Sequence, residues 1–161
     1  AELELAEKLG AASAEIHLNL SYAHLLTNKF DAAVDEARKA IAADPSLALA
    51  HNNLGIALTR QGKLVEAADS FRKACTLDPK YKDAFVNLGA LLAVQGKSDE
   101  AVDALLEAVA VDPKDGKIHD KLAVLYFRKG DSAKAREHAR QARALGAAVD
   151  PVLAEELAKI R

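Results

Sequence analysis

Three histidines share one period in this chain. His51 stands 34 residues after His17, and His119 stands twice that distance after His51. Imidazoles on a common register could ligate a metal or carry protons. A metal centre, however, gathers three or four ligands at one place, and a 34-residue step puts these rings on successive helices. Helix-packing or edge positions are therefore their expected role. His24 and His138 look isolated. Cys75 is the single cysteine, so no internal disulfide is expected, and a small packed hydrophobe is its expected part. The chain contains no nucleophile elbow, no phosphate-binding glycine loop and no cluster of His and Cys with ligand spacing. Its carboxylates are scattered. No catalytic residue, cofactor or metal is expected, and the chain reads as a non-enzyme.

The period governs more than the histidines. Asp-Pro occurs at Asp44-Pro45, Asp78-Pro79 and Asp112-Pro113, in the same 34-residue step. With Pro as position 32, four units run 14–47, 48–81, 82–115 and 116–149. Leu20, Leu54, Leu88 and Leu122 occupy position 7. Gly55 and Gly89 hold position 8, with Ser21 and Ala123 in the outer units. Position 15 is Asn28, Gly62, Gly96 and Gly130. Position 20 is Ala33, Ala67, Ala101 and Ala135, and position 27 is Ala40, Ala74, Ala108 and Ala142. A repeat of this length marks a stacked array.

Each recurrent residue has a physical reason. Small residues at positions 8, 20 and 27 let helices approach closely. Gly or Asn at position 15 tolerates the positive φ needed where a first helix stops. Pro cannot continue a helix, so position 32 ends the second one. Apolar residues recur at helical spacing, as in Leu105, Ala108 and Val109. The pattern predicts helices over 1–9, 14–27, 30–43, 48–61, 64–77, 82–95, 98–111, 116–129, 132–145 and 151–160. The fold class expected is all-α, a right-handed solenoid of antiparallel helix pairs. Apolar residues make up 50% of the chain but aromatics only 4%, so Ala and Leu must do the packing, which favours helices over a sheet.

The run Asn53-Leu54-Gly55 … Gln61-Gly62-Lys63 … Glu66-Ala67 … Phe71 … Ala74 … Leu77-Asp78-Pro79 resembles a near-consensus tetratricopeptide repeat. The third unit is almost as close. The first departs at Ser21, Asn28 and Ala32; the fourth departs at Lys134 and reads Gly146-Ala147 in place of Asp-Pro. The resemblance spans 14–149. Residues 1–13 read as a partial repeat, because Ala6, Leu9 and Gly10 match Ala142, Leu145 and Gly146. A natural N-terminal cap is the alternative. The chain starts with Ala and has no Met, so it is expected to be a piece of a longer protein of bacterial type. Residues 150–161 read as a capping helix: Asp150 caps it, Pro151 opens it, and Val152, Leu153, Leu157 and Ile160 form its apolar stripe. A membrane-surface helix fits less well, because the segment is short and its polar face is not dominantly basic.

The net charge of −2 hides an asymmetry. Residues 1–47 carry 4 basic and 8 acidic side chains, residues 48–115 carry 8 and 10, and residues 116–161 carry 10 and 6, giving −4, −2 and +4. The basic set includes Lys117, Lys121, Arg128, Lys129, Lys134, Arg136, Arg140 and Arg143. Aromatics are not interleaved with them, so a nucleic-acid partner is not expected. A solvated face is the plainer reading. A gradient that orients a partner, or stacks arrays head to tail, is the other. No apolar run is long enough to span a bilayer.

The resemblance implies a concave groove lined by first helices at positions 2, 5, 6, 9, 12 and 13. Carried over, position 6 gives Asn19, Asn53, Asn87 and Lys121. Amides can donate and accept at once, so this ladder could hold the backbone of an extended peptide; it resembles that of the O-linked N-acetylglucosamine transferase repeats. Bonding within the array is the alternative. Leu18, Tyr22, Ile56, Val86, Val124 and Phe127 supply apolar anchors, Leu25, Leu26, Ala90 and Val94 add to them, and Asn52 and Arg128 complete the expected site. Second-helix residues such as Asp35, Glu36, Asp69, Arg72, Lys73 and Asp103 look solvated. The carboxylate clamp of the chaperone adaptors is not matched, since its positions fall on Leu18, Tyr22, Asn53, Asp83 and Asn87 in one register and on Asn52, Ile56, Asn87, Lys117 and Lys121 in the next. The function implied is a scaffold that binds a protein segment. The alternatives are a substrate-positioning region of a larger enzyme such as a glycosyltransferase, or a self-assembling array.

Overall fold

Position 15 of each unit is where the chain reverses. In the computed structural model, which describes residues 2–159 and their side chains from residue 9 onward, Asn28, Gly62, Gly96 and Gly130 have φ of 56°, 76°, 76° and 82°. The next N–H reaches back five residues: Lys29 to the His24 carbonyl, Lys63 to Leu58, Lys97 to Leu92 and Asp131 to Tyr126, each at 2.9 Å. This doubly bonded left-handed stop satisfies carbonyls that a helix end leaves open. It turns the chain back within two or three residues, so neighbouring helices are antiparallel.

The described residues form nine helices and no strand: α1 (Glu2–Leu26), α2 (Phe30–Ala43), α3 (Ala48–Arg60), α4 (Leu64–Leu77), α5 (Lys82–Val94), α6 (Ser98–Val111), α7 (Gly116–Arg128), α8 (Ser132–Ala144) and α9 (Pro151–Lys159). The second helices end two residues before each Pro. Asp44, Asp78 and Asp112 then turn the chain, their side chains accepting the N–H groups of Ser46, Lys80 and Lys114 at 2.9, 2.9 and 3.2 Å. The Asp of each Asp-Pro pair thus builds the turn that Pro's missing N–H begins.

The fold class is the all-α solenoid of stacked helix pairs, carried by two compact bodies. The first holds α1–α4 and the start of α5 through Ala84; the second runs from Phe85. In the first, α1 packs on α2 and α3, α2 on α3, and α3 on α4. In the second, α7 packs on α6 and α8, and α8 on α9. Every alanine at positions 20 and 27 is fully buried. A Cβ added at Gly55 would stand 2.6 Å from the Phe71 ring, and one at Gly89 would stand 2.8 Å from Leu105 and 3.1 Å from the Ala101 carbonyl. Small residues are therefore what lets these pairs close.

Two expectations need correction. The helices predicted over 1–9 and 14–27 are one continuous helix, α1. Gly10 has no positive φ, no side chain meets it, and Ala11, Ala12 and Ala14 favour continuing the helix. At the other end, Asp150 does cap α9, accepting the N–H groups of Val152 and Leu153, and Leu153 and Leu157 are buried. Val152 is instead 70% exposed; Ile160 lies outside the described residues.

Candidate functional site

In the first body the first helices α1 and α3 lie side by side. Asn19 is exposed and Tyr22 is 56% exposed, while Leu18 and Ile56 are half-buried. Leu26, one turn beyond Tyr22, is 67% exposed. This face offers apolar and aromatic surface at helical spacing.

The asparagines behave differently from one another. Asn52 and Asn53 are buried. The Asn53 amide donates to the Ser21 hydroxyl at 2.9 Å, and that hydroxyl donates to the Leu18 carbonyl at 2.8 Å. The bond spends one of the two N–H donors of the Asn53 amide inside the array. For Asn53 this is the bond within the array that stood as the alternative to a ligand ladder, and it joins α3 to α1. Ser21, an exception to Gly at position 8, is thereby explained.

In the second body, α5 and α7 flank an open recess of about 250 Å³. Ala90, Ala93 and Val124 supply apolar wall, and Asp120, Lys121 and Arg128 stand at its polar side. The Asp120 carboxylate accepts the Asp150 N–H at 2.9 Å. Lys121 and Arg128 are exposed and have no ion pair among the described residues. The recess is therefore apolar, with Leu105 and Leu125 also in its wall, and is edged by two cations beside the Asp120 carboxylate. Val86, Asn87 and Phe127 are half-buried, and Val94 on α5 is 76% exposed.

The histidine ladder is structural. His17 meets the Glu36 carboxylate at 2.6 Å, His51 meets the Pro45 carbonyl at 3.2 Å, and His119 meets the Pro113 carbonyl at 3.4 Å. Glu36 is thus a partly buried partner rather than a solvated charge; bonds from Lys39 and then His17 hold its carboxyl below the usual range. His138 is not isolated: its Nδ1 lies 3.0 Å from Nδ1 of His119, and its ring stacks on Tyr126 at 5.4 Å. The period held the signal for this pair, because His17–Glu36 and His119–His138 both join positions 4 and 23. Burial pushes the Cys75 thiol up to about 11, which fits a packed hydrophobe and not a nucleophile. Among the described residues, no group of three His, Cys, Asp or Glu could hold a metal, and no helix is long and apolar enough to cross a membrane.

Solved structures share this fold. A crystal structure of MamA is 22% identical with a TM-score of 0.79, over 83% of this chain and 78% of that one. PilF of Pseudomonas aeruginosa is 25% identical with a TM-score of 0.79, over 92% and 68%. Cut9, in its complex with Hcn1, is 20% identical with a TM-score of 0.77, over 91% of this chain but 29% of that one. No curated protein matches the sequence. Models of the tetratricopeptide repeat match residues 1–48, 18–82, 58–125 and 119–141. With the 34-residue period, the left-handed stops and the buried alanines, these matches establish that the chain belongs to the tetratricopeptide repeat family.

Proposed function

We propose that this repeat scaffold binds a segment of another protein on its first-helix faces, and that the α5/α7 cavity is the anchor. The observation that carries this reading is the cavity's chemistry. An apolar recess beside two cations without ion pairs suits an apolar side chain followed by a carboxylate. Burying one such side chain contributes roughly 1.5–3 kcal/mol, so the exposed Val94 of the same body is needed as a further contact for useful affinity. The ligand is held by side-chain anchors rather than by the Asn53 amide.

The test is affinity capture with the intact chain and with variants of confirmed helicity. Val124→Asp and Ala90→Asp put a carboxylate among the apolar contacts of the recess and should abolish capture of the bound partner. Arg72→Glu and Lys73→Glu, on the second-helix side, should leave it unchanged. Capture that survives the first pair and fails with the second would overturn the reading.

A self-assembling array is the second reading, favoured by one observation. Leu9, Ile16 and Leu20 fall on one stripe of α1 and are 63%, 59% and 42% exposed. Sedimentation should show mass rising with concentration if that stripe joins copies, and a single mass if it does not.

A further inference from the structure

The last repeat breaks a rule that the other three keep. At position 21 they carry Val34, Ala68 and Val102, all buried, and at position 28 they carry Ile41, Cys75 and Val109. The fourth unit places Arg136 and Arg143 there, with Arg140 between them. These guanidiniums line an open groove of about 550 Å³ between α8 and α9, above a floor that includes Ala139, Ala154 and Leu157.

The three arginines are not equivalent. Arg136 donates to the Leu157 carbonyl at 3.2 Å. That carbonyl lies in the last turn of α9, where helix carbonyls lack partners, so Arg136 fastens the closing helix. Arg140 and Arg143 are exposed and have no ion pair among the described residues. Fastening α9 therefore accounts for one arginine and leaves two.

We propose that the α8/α9 groove is a second binding site, which takes an acidic helical segment of a partner protein. Arg140 and Arg143 lie one helical turn apart, so two carboxylates at the same spacing can meet them in forked, charge-assisted pairs. The floor of alanines and Leu157 is apolar and lined by small residues, so it takes an apolar side chain on the same face of that segment, one turn beyond the carboxylates. A free anion would leave the floor uncovered. A nucleic-acid strand would call for aromatic side chains on which bases stack, and none lines the groove. The site is separate from the α5/α7 cavity and shares no lining residue with it.

The experiment is a fluorescence anisotropy titration of the full chain with three labelled probes. One is a helical peptide with two glutamates one turn apart and a leucine one turn beyond them on the same face; the second has glutamines instead; the third is a single-stranded RNA of equal charge. The glutamate peptide should bind roughly two- to thirtyfold more tightly than the glutamine peptide, the range expected for two exposed ion pairs, and more tightly than the RNA. Arg140→Ala with Arg143→Ala should remove that advantage while the circular dichroism spectrum stays unchanged. Ala154→Phe, which fills the floor, should weaken both peptides. Val124→Asp, in the other cavity, should change neither, which separates this site from the one proposed above. Equal binding of the two peptides, tighter binding of the RNA, no binding of the glutamate peptide, or an advantage that persists in the double variant would each overturn the proposal.

Discussion

Single side chains in this array are placed by their neighbours one helix away, and Asn53 shows it best. Removing its amide leaves the buried Ser21 hydroxyl without the Asn53 N–H it accepts. Asn53→Ala should therefore destabilise by about 1–3 kcal/mol, read as a lower midpoint in urea. Asn19→Ala, at the same repeat position but exposed, should change stability by no more than about 0.5 kcal/mol. Equal effects would show that the Asn53–Ser21 bond carries no weight. Cys75 gives a second residue-scale expectation. With its thiol pushed up to about 11 by burial, a disulfide reagent at neutral pH should label it only at the rate of unfolding. Rapid labelling of the folded chain would contradict that burial.

At the scale of the helix, one substitution should act with opposite signs at two glycines. Gly10 lies inside α1, and a Cβ added there would meet no neighbouring group within 4 Å, so Gly10→Ala should stabilise by roughly 0.5–1 kcal/mol. Gly62 stands at φ 76° in the turn after α3, so Gly62→Ala should destabilise by roughly 1–2 kcal/mol. Thermal melts of the two variants decide it, and destabilisation by both would mean that α1 breaks at Gly10. This contrast also marks what could be read from the sequence. The turns at Asn28, Gly62, Gly96 and Gly130 were legible because backbone geometry restricts the residue and the period exposes it. The break at Gly10 was expected from its likeness to Gly146, yet only Gly146 has the positive φ. A glycine permits a stop but does not impose one. Tyr22, Lys121 and Arg128 are exposed, as the family resemblance implies for their repeat positions. The burial of Asn53 was not legible, because its direction depends on Ser21 in the preceding unit.

Across the whole molecule, acid should weaken the fold before it titrates the carboxylates. Burial first, and then the adjacent His119, hold His138 below the ordinary value of 6.5, with Lys134 adding to that effect and Glu137 and Gln141 opposing it. Tyr126 stacks on its other side, and the Pro113 carbonyl faces His119. Burial likewise lowers His51, with Lys73 adding and the Pro45 carbonyl opposing. A histidine with a lowered folded pKa binds its proton more readily when unfolded. Stability is then complete above about pH 6.5, falls as pH drops through that value, and levels off below the folded pKa. Urea midpoints should decline from pH 7.5 to 5.5, and His138→Leu should flatten part of the decline. A midpoint that rises on acidification would reverse the assignment.

The central claim is that the first-helix faces bind a protein segment and that the α5/α7 cavity anchors it. Backbone amide chemical shifts of the chain, followed while a captured partner segment is added, test it most directly. The largest changes should fall at Ala90, Ala93, Lys121, Val124 and Arg128. Changes confined to the second-helix residues Asp69, Arg72, Asp103 and Glu107 would contradict it.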